Sequence, residues 1–333
     1  VAEHLESYIN HKIVITGGLG FIGSNLAHRL IKMGDSQIIL VDAMVPDCGG
    51  NYFNIHGIED RLKVHIFDIS DEDKTAELVR GAHYVFNLAG QVSHVDSMRD
   101  PHQDLRLNCA SHISLLEACR KHCPEARIIY TSTRQVYGKA QYLPVDELHP
   151  LSPVDVNGIN KLAAEQYHLL YNRVYGLRTV TLRLTNTYGP RQLVRHNRQG
   201  FIGWFIKQAI DGQEIKIFGD GKQRRDLSFV DDTVEAILLA GASEESEGQI
   251  FNLGAQEPIC LLDLAQMLVE ITGRGSVQLA PFPQERRAID IGDFYCDYGK
   301  INRLLGWQPR TELRDGLSRT IEYYREYKEQ YWS

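Results

Sequence analysis

Ile13-Val14-Ile15-Thr16-Gly17-Gly18-Leu19-Gly20-Phe21-Ile22-Gly23 decides the fold. A short apolar run ends in three glycines spaced three apart. An amphipathic stretch, Ser24 to Met33, follows with Leu26, Ala27, Leu30 and Ile31 on one face. That order predicts a strand, a tight turn and a helix. Gly17 can supply the turn, Gly20 lets backbone approach a diphosphate at the helix N-terminus, and Gly23 lets the helix pack on the strand. The spacing is G-x-x-G-x-x-G, not the commoner G-x-G-x-x-G, and glycines alone also mark ordinary turns, so the context matters. A second strand, Gln37 to Val41, ends at Asp42. An acid there can accept both ribose hydroxyls of an adenosine. Ala43-Met44-Val45 offers no Arg or Lys to hold a 2′-phosphate, which favours NAD over NADP.

With 333 residues the chain can bury a large core as one large or two modest domains. Its net charge of −7 gives no global basic field for nucleic acid, so an anionic ligand must be met by local arginines. The cysteines, Cys48, Cys109, Cys119, Cys123, Cys260 and Cys296, form no C-x-x-C pair. Buried reduced thiols fit them better than a metal site. No signal peptide and no apolar run of about 18 residues is visible, so the expectation is a cytoplasmic protein with no membrane partner.

Residues 1–10 read as a polar lead-in. Arg61 to Phe67 is a third strand closed by Asp68-Ile69-Ser70-Asp71. Asp68 can meet an adenine amino group, or this acidic stretch can cap the helix that starts near Asp73. A fourth strand, His83 to Leu88, leads into Ala89-Gly90-Gln91, whose small residues let the nicotinamide ribose approach. Pro101 to Cys123 reads as one long helix containing Asn108, a poor helix former that either bonds to a neighbouring strand or faces water. Arg127 to Thr131 is a fifth strand, Val156 to Tyr175 a helix and Thr179 to Leu184 a sixth strand. Strands alternating with helices predict an α/β fold with a doubly wound parallel (Rossmann) sheet. After Arg191 the rhythm changes. The expectation is a nucleotide-binding domain of residues 1–180 plus about 225–255, and a smaller α/β substrate domain of about 181–224 plus 256–333. Glu244 to Glu247 reads as a solvated loop, and Tyr323, Tyr324, Tyr327 and Tyr331 as packing on the last helix.

The chain resembles the extended short-chain dehydrogenase/reductases that act on nucleotide-sugars. The resemblance spans nearly the whole length. It rests on the glycine loop, Asp42, Asp68-Ile69, Asn87-Leu88-Ala89-Gly90, Ser132-Thr133, Val136-Tyr137-Gly138, Lys161-Leu162-Ala163-Ala164-Glu165, Arg183 through Arg191, Gly219 through Asp226 and Leu305-Gly306-Trp307-Gln308-Pro309. Within the family, Ala89-Gly90-Gln91-Val92 through Pro101, Arg191-Gln192 and Gln199 through Phe205 are most similar to CDP-tyvelose 2-epimerases. The resemblance implies a homodimer with tightly bound NAD that takes a hydride from a sugar carbon and returns it. The substrate would be a nucleotide-diphosphate sugar, CDP or UDP favoured. It places cofactor contacts at Gly17, Gly20, Phe21, Ile22, Gly23, Asp42, Asp68, Ile69, Leu88, Ala89, Gly90, Gln91, Asn108 and Lys161. Thr133 would bond the reacting hydroxyl. Lys161 would hold the nicotinamide ribose. Gln135, Asn186 and Arg191 would face the substrate, and Arg225 and Arg287 would clamp its phosphates, unless these arginines are surface ion pairs.

Two positions depart from the family pattern. The family tyrosine lies four residues before the lysine, and here that residue is Asn157, which cannot be a general base. Where the 4,6-dehydratases carry Asp-Glu and UDP-glucuronate decarboxylases a Glu, this chain has Arg134-Gln135. The epimerase reading leads. A 4,6-dehydratase or decarboxylase with relocated acid/base groups, and a catalytically weak homologue that binds NAD and a nucleotide-sugar, are the alternatives. His94 is the candidate proton acceptor, against a plain loop histidine, with Asp96, Tyr137 and Tyr188 also near the C-terminal sheet edge. Asn157 could still orient the substrate hydroxyl or a water.

Overall fold

The computed structural model describes residues 6–282 and 290–332. The opening motif folds as β1 (Lys12–Thr16), a turn and α1 (Phe21–Met33). The chain continues through β2 (Gln37–Asp42), β3 (Leu62–Ile66), α2 (Glu72–Val79), β4 (Tyr84–Asn87), α3 (His94–Arg99) and α4 (Pro101–Leu105). Next come α5 (Ser111–His122), β5 (Arg127–Thr133), α6 (Val156–Tyr175), β6 (Arg178–Leu184) and β7 (Asn186–Tyr188). Then follow α7 (Phe201–Ile210), β8 (Glu214–Phe218), β9 (Arg224–Arg225), β10 (Leu227–Phe229), α8 (Val230–Ala242) and β11 (Ile250–Asn252). The last described elements are β12 (Ile259–Cys260), α9 (Leu261–Thr272), β13 (Ser276–Ala280), α10 (Gly299–Leu305), α11 (Leu313–Glu326) and α12 (Lys328–Tyr331).

Seven parallel strands form one sheet in the order β3-β2-β1-β4-β5-β6-β11. Side chains alternate between its faces because the strand period is two. Ile13, Ile15, Ile38, Leu40, Phe86 and Ile129 join the core layer of α1 and α8, with Leu26, Leu30, Val234 and Ile237. Val14, Ile39, Val41, Val85 and Ile128 point the other way, onto Leu78, Leu115, Leu116 and Tyr171 of α2, α5 and α6. Burying each such side chain contributes about 1.5–3 kcal/mol. Strand order reverses between β1 and β4, which opens a crevice at the C-terminal strand ends. Among the described residues, three two-stranded sheets lie beyond the large one: β8 with β13, β9 with β12 and β7 with β10.

Three expectations change. The lead-in is not simply polar: Tyr8 is buried, and its hydroxyl donates to Leu238 O at 2.6 Å. The helix over 101–123 is interrupted, because a wide π-type turn, Arg106–Ala110, separates α4 from α5 and carries Asn108. Glu247 is not a free solvated charge: it pairs with Arg178 at 2.6 Å. The tyrosines on the final helices do pack, with Tyr323 and Tyr331 hydroxyls 2.6 Å apart. All six cysteines are free, and Cys109, Cys119, Cys123 and Cys296 are buried. Among the described residues no helix is long and apolar enough to cross a membrane.

Candidate active site

The glycine loop forms one end of a cleft at the sheet's switch point. Gly17 has φ +65°, and a Cβ there would sit 2.9 Å from Leu88 O. A Cβ on Gly23 would fall 2.3 Å from Gly17 O, so helix and turn touch only because that position is bare. A Cβ on Gly20 would meet only Gly17 O, leaving its outer face open to the cleft. Asp42 is aimed by two backbone donors: Leu19 N at 3.1 Å and Met44 N at 2.9 Å. Burial raises its pKa against the pull of these bonds. Phe21, Ile22, Asp68, Ile69, Leu88, Ala89 and Gly90 complete the walls. The cap of α2 is Asp71, which accepts from Lys74 N, so Asp68 remains on the cleft wall.

This cleft runs into a second, larger one. The two share Phe21, Ile22, Leu88, Gly90, Val92, Gln192 and Gln199 as walls. His94, Thr133, Gln135, Asn157, Lys161, Asn186 and Arg225 line the second. Ser132 Oγ, Arg134 Nη1, Gln135 Oε1, Thr187 Oγ1 and Gln192 Oε1, all from residues on its wall, are buried without a hydrogen-bond partner among the described residues. Buried polar groups normally find partners, so this wall fits a polyhydroxylated, polar ligand. Lys161 lies at the junction. Burial lowers its pKa to about 8, with Asp104 opposing that fall. Gly90, at φ +148°, leaves room for it: a Cβ there would come 2.9 Å from Lys161 Nζ and 2.5 Å from Asn108 Oδ1.

Asn157 is held from behind. Its amide donates to Gln91 O at 2.7 Å and to Asp104 Oδ2 at 3.0 Å. Asp104, 1% exposed, also accepts from Asn108 (3.0 Å) and Asn160 (2.8 Å). Asn108 exchanges two bonds with the Gln91 backbone, which explains why the helix widens there rather than continuing regularly. Asn108 therefore neither faces water nor reaches a strand. Gln91 and Asn108 stand behind the cleft wall, not on it.

His94 opens α3 instead of lying in a loop. Its Nδ1 bonds Asp155 Oδ2, and its Nε2 lies 2.9 Å from Gln135 Nε2. Asp155 also caps α6 by accepting from Gly158 N at 2.7 Å. Burial favours the neutral acid, but the hydrogen bond from His94 and the Gly158 N–H hold the Asp155 carboxyl below its usual range. Asp96 turns away to Arg198, at 3.5 Å. Tyr137 is buried between Arg183 and Asn252, and Tyr188 donates to Leu313 O, so neither hydroxyl faces the cleft.

Arg191 is drawn elsewhere. Its guanidinium bonds Asn54 O at 3.1 Å and Asn25 Oδ1 at 2.9 Å and stacks on Tyr323, away from both clefts. Arg225 is held by the carbonyls of Arg224 and Gly292; burial first, then the neighbouring Arg134 charge, lower its pKa to about 10. Asn186 donates to Asp226 O at 3.1 Å. Arg287 lies outside the described residues. Sequence reading missed Asp104 and Asp155. Asp104 lies one helical turn before Asn108, and Asp155 stands in an N-cap position before a periodic stretch; both signals were available, but not the partners.

Fold and site define a dinucleotide-dependent enzyme with a polar ligand cleft beside the cofactor cleft. Residues 13–254 match the NAD dependent epimerase/dehydratase family, and the chain belongs to it. It is 32% identical over 312 residues to a putative UDP-glucose 4-epimerase of Methanocaldococcus jannaschii, covering 93% of this chain and 97% of that protein. It is 30% identical over 340 residues to the CDP-paratose 2-epimerase of Salmonella typhi, covering 94% and 98%. The structure of UDP-glucose 4-epimerase with UDP-glucose from Thermotoga maritima superposes with a TM-score of 0.86 at 32% identity, covering 95% of this chain and 99% of that one. The cofactor is NAD. The residues present fit it: Gly20 leaves a bare backbone face, and the Asp42 carboxylate stands ready on the cleft wall.

Proposed function

We propose that this protein epimerises a nucleotide-diphosphate sugar by transient oxidation of one sugar carbon. The observation that carries this reading is the continuity of the two clefts, with Lys161 and Thr133 on the wall of the second. NAD, when bound, supplies a two-electron acceptor that takes a hydride from the sugar and gives it back. Asp42 binds the adenosine ribose, and Asp68 stands at the adenine end. Lys161 holds the nicotinamide ribose, and its charge favours negative charge developing on the reacting oxygen. Thr133 orients that oxygen. Arg225, Gln135 and Asn186, all on the wall of the second cleft, bind the nucleotide-sugar. Gln91 and Asn108 shape the wall from behind. A CDP or UDP sugar is favoured by the two similar epimerases named above, a putative UDP-glucose 4-epimerase and a CDP-paratose 2-epimerase, whereas the similar dTDP-glucose proteins are dehydratases. Exposed Leu105, Ile159, Leu170, Val174 and Tyr175 on α4, α6 and its end support a homodimer through these helices.

Gln135 can neither remove nor deliver a proton, which disfavours dehydration and decarboxylation. The test is turnover of UDP-, CDP-, dTDP- and GDP-sugars in deuterated water, read by proton NMR and mass. An epimer without deuterium is expected. Solvent deuterium with loss of water or carbon dioxide would move the assignment to a dehydratase or decarboxylase. Binding without turnover would make the protein a non-catalytic homologue.

A further inference from the structure

We propose that His94, held by Asp155, is the proton acceptor and donor that replaces the family's tyrosine. This rests on the epimerase reading above. The need is chemical: oxidising a carbinol requires a base for the hydroxyl proton, and Asn157 has its amide committed to Gln91 and Asp104. Neither Tyr137 nor Tyr188 reaches the cleft.

The geometry supplies the base elsewhere on the same wall. Gln135 Nε2 is a donor, so His94 Nε2, 2.9 Å away, accepts with its lone pair. The ring proton then sits on Nδ1, bonded to Asp155. A neutral imidazole is thus held in one tautomer with its basic nitrogen toward the cleft, and a fully buried carboxylate stands ready to stabilise the imidazolium. Asp155 acts through His94 and is a positioning residue. As cap of α6 it also ties His94 to the helix that carries Lys161. The Gln135 amide occupies the place of a substrate O–H donor and is displaced by it, while Gln135 Oε1 has no partner among the described residues.

The step balances. The sugar O–H bond breaks and the proton forms an Nε2–H bond on His94. The adjacent C–H bond breaks with its electron pair leaving as hydride to oxidised NAD, and the C=O bond forms. Reduction on the opposite face reverses each transfer.

The test uses the intact NAD-bound protein and two variants, His94→Gln and Asp155→Asn. Asparagine still caps a helix, so α6 keeps its start, but its amide donates to Nδ1 and forces the proton onto Nε2. In 15N-histidine-labelled protein, the signal lost in His94→Gln is expected to show an Nδ1–H, Nε2-unprotonated ring that switches tautomer in Asp155→Asn. With the sugar nucleotide turned over in the panel above, both variants are expected to lose about 100-fold or more in kcat, with KM little changed. A wild-type ring protonated on Nε2 alone, or variants that keep kcat within about threefold, would overturn the proposal while leaving the epimerase assignment standing. Absence of any turnover by the wild-type protein would overturn both.

Discussion

Replacing Asn157 with tyrosine, the residue the family resemblance leads one to expect there, is predicted to bring loss rather than rescue. Asn157 is 1% exposed and gives one hydrogen bond to the buried Asp104 carboxylate and one to Gln91 O. A bond to a charged partner contributes about 1.5–3 kcal/mol and a neutral one about 0.5–1.5 kcal/mol. Asp104 keeps Asn108 and Asn160, so the carboxylate is not stripped of donors. The loss should therefore be about 2–4 kcal/mol, with the phenol pushed into the substrate cleft. The measurements are thermal unfolding with and without NAD, and turnover on the sugar panel. The expected result is a lower Tm with turnover no higher than wild type. An unchanged Tm together with a tenfold gain in turnover would refute the reasoning and show Asn157 to be a disabled tyrosine site.

Asp42→Ala tests the proposed acceptor for the adenosine ribose; NAD affinity by calorimetry should fall at least about tenfold, since a bond to a charged group contributes about 1.5–3 kcal/mol. In Gly23→Ala the new Cβ meets Gly17 O at 2.3 Å, and that atom is backbone. The loss should be about 1–3 kcal/mol in thermal unfolding, together with reduced NAD content. Burial lowers the His168 pKa to about 4, so folding excludes a proton that the unfolded chain takes up below about 6.5. Stability should be intact above about pH 6.5, fall by about 3 kcal/mol as pH drops from about 6.5 to about 4 and level off below, and His168→Gln should flatten that fall. Asp47 pairs with Arg195 and Arg198 and its carbonyl accepts from Gln199, latching the 195–199 loop beside the cofactor cleft. Asp47→Ala should speed NAD release in a chase experiment by only about two- to fivefold, because exposed pairs contribute about 1 kcal/mol or less.

What the sequence determined by itself was local. Three glycines at fixed spacing, an acid at the end of the next strand and alternating strand and helix periods were enough for the parallel sheet and the cofactor cleft, because turn geometry and hydrophobic period act over a few residues. The family resemblance pointed to Lys161, Thr133 and Gln135; Thr133 ends β5 and Gln135 follows it at the C-terminal sheet edge, while Lys161 lies in the second turn of α6, and all three line the second cleft. Tertiary structure decided the partners. His94 could be seen as a candidate base, but Asp155 lies 61 residues away and meets it only through the packing of α3 on α6. Asp104 gathers three asparagines and thereby occupies Asn157, a commitment no spacing rule reveals. Arg191 carries a charge suited to phosphate, yet Asn25 and the Asn54 carbonyl, remote in sequence, capture it first. Burial and long-range hydrogen bonding choose among polar side chains that sequence alone leaves equivalent.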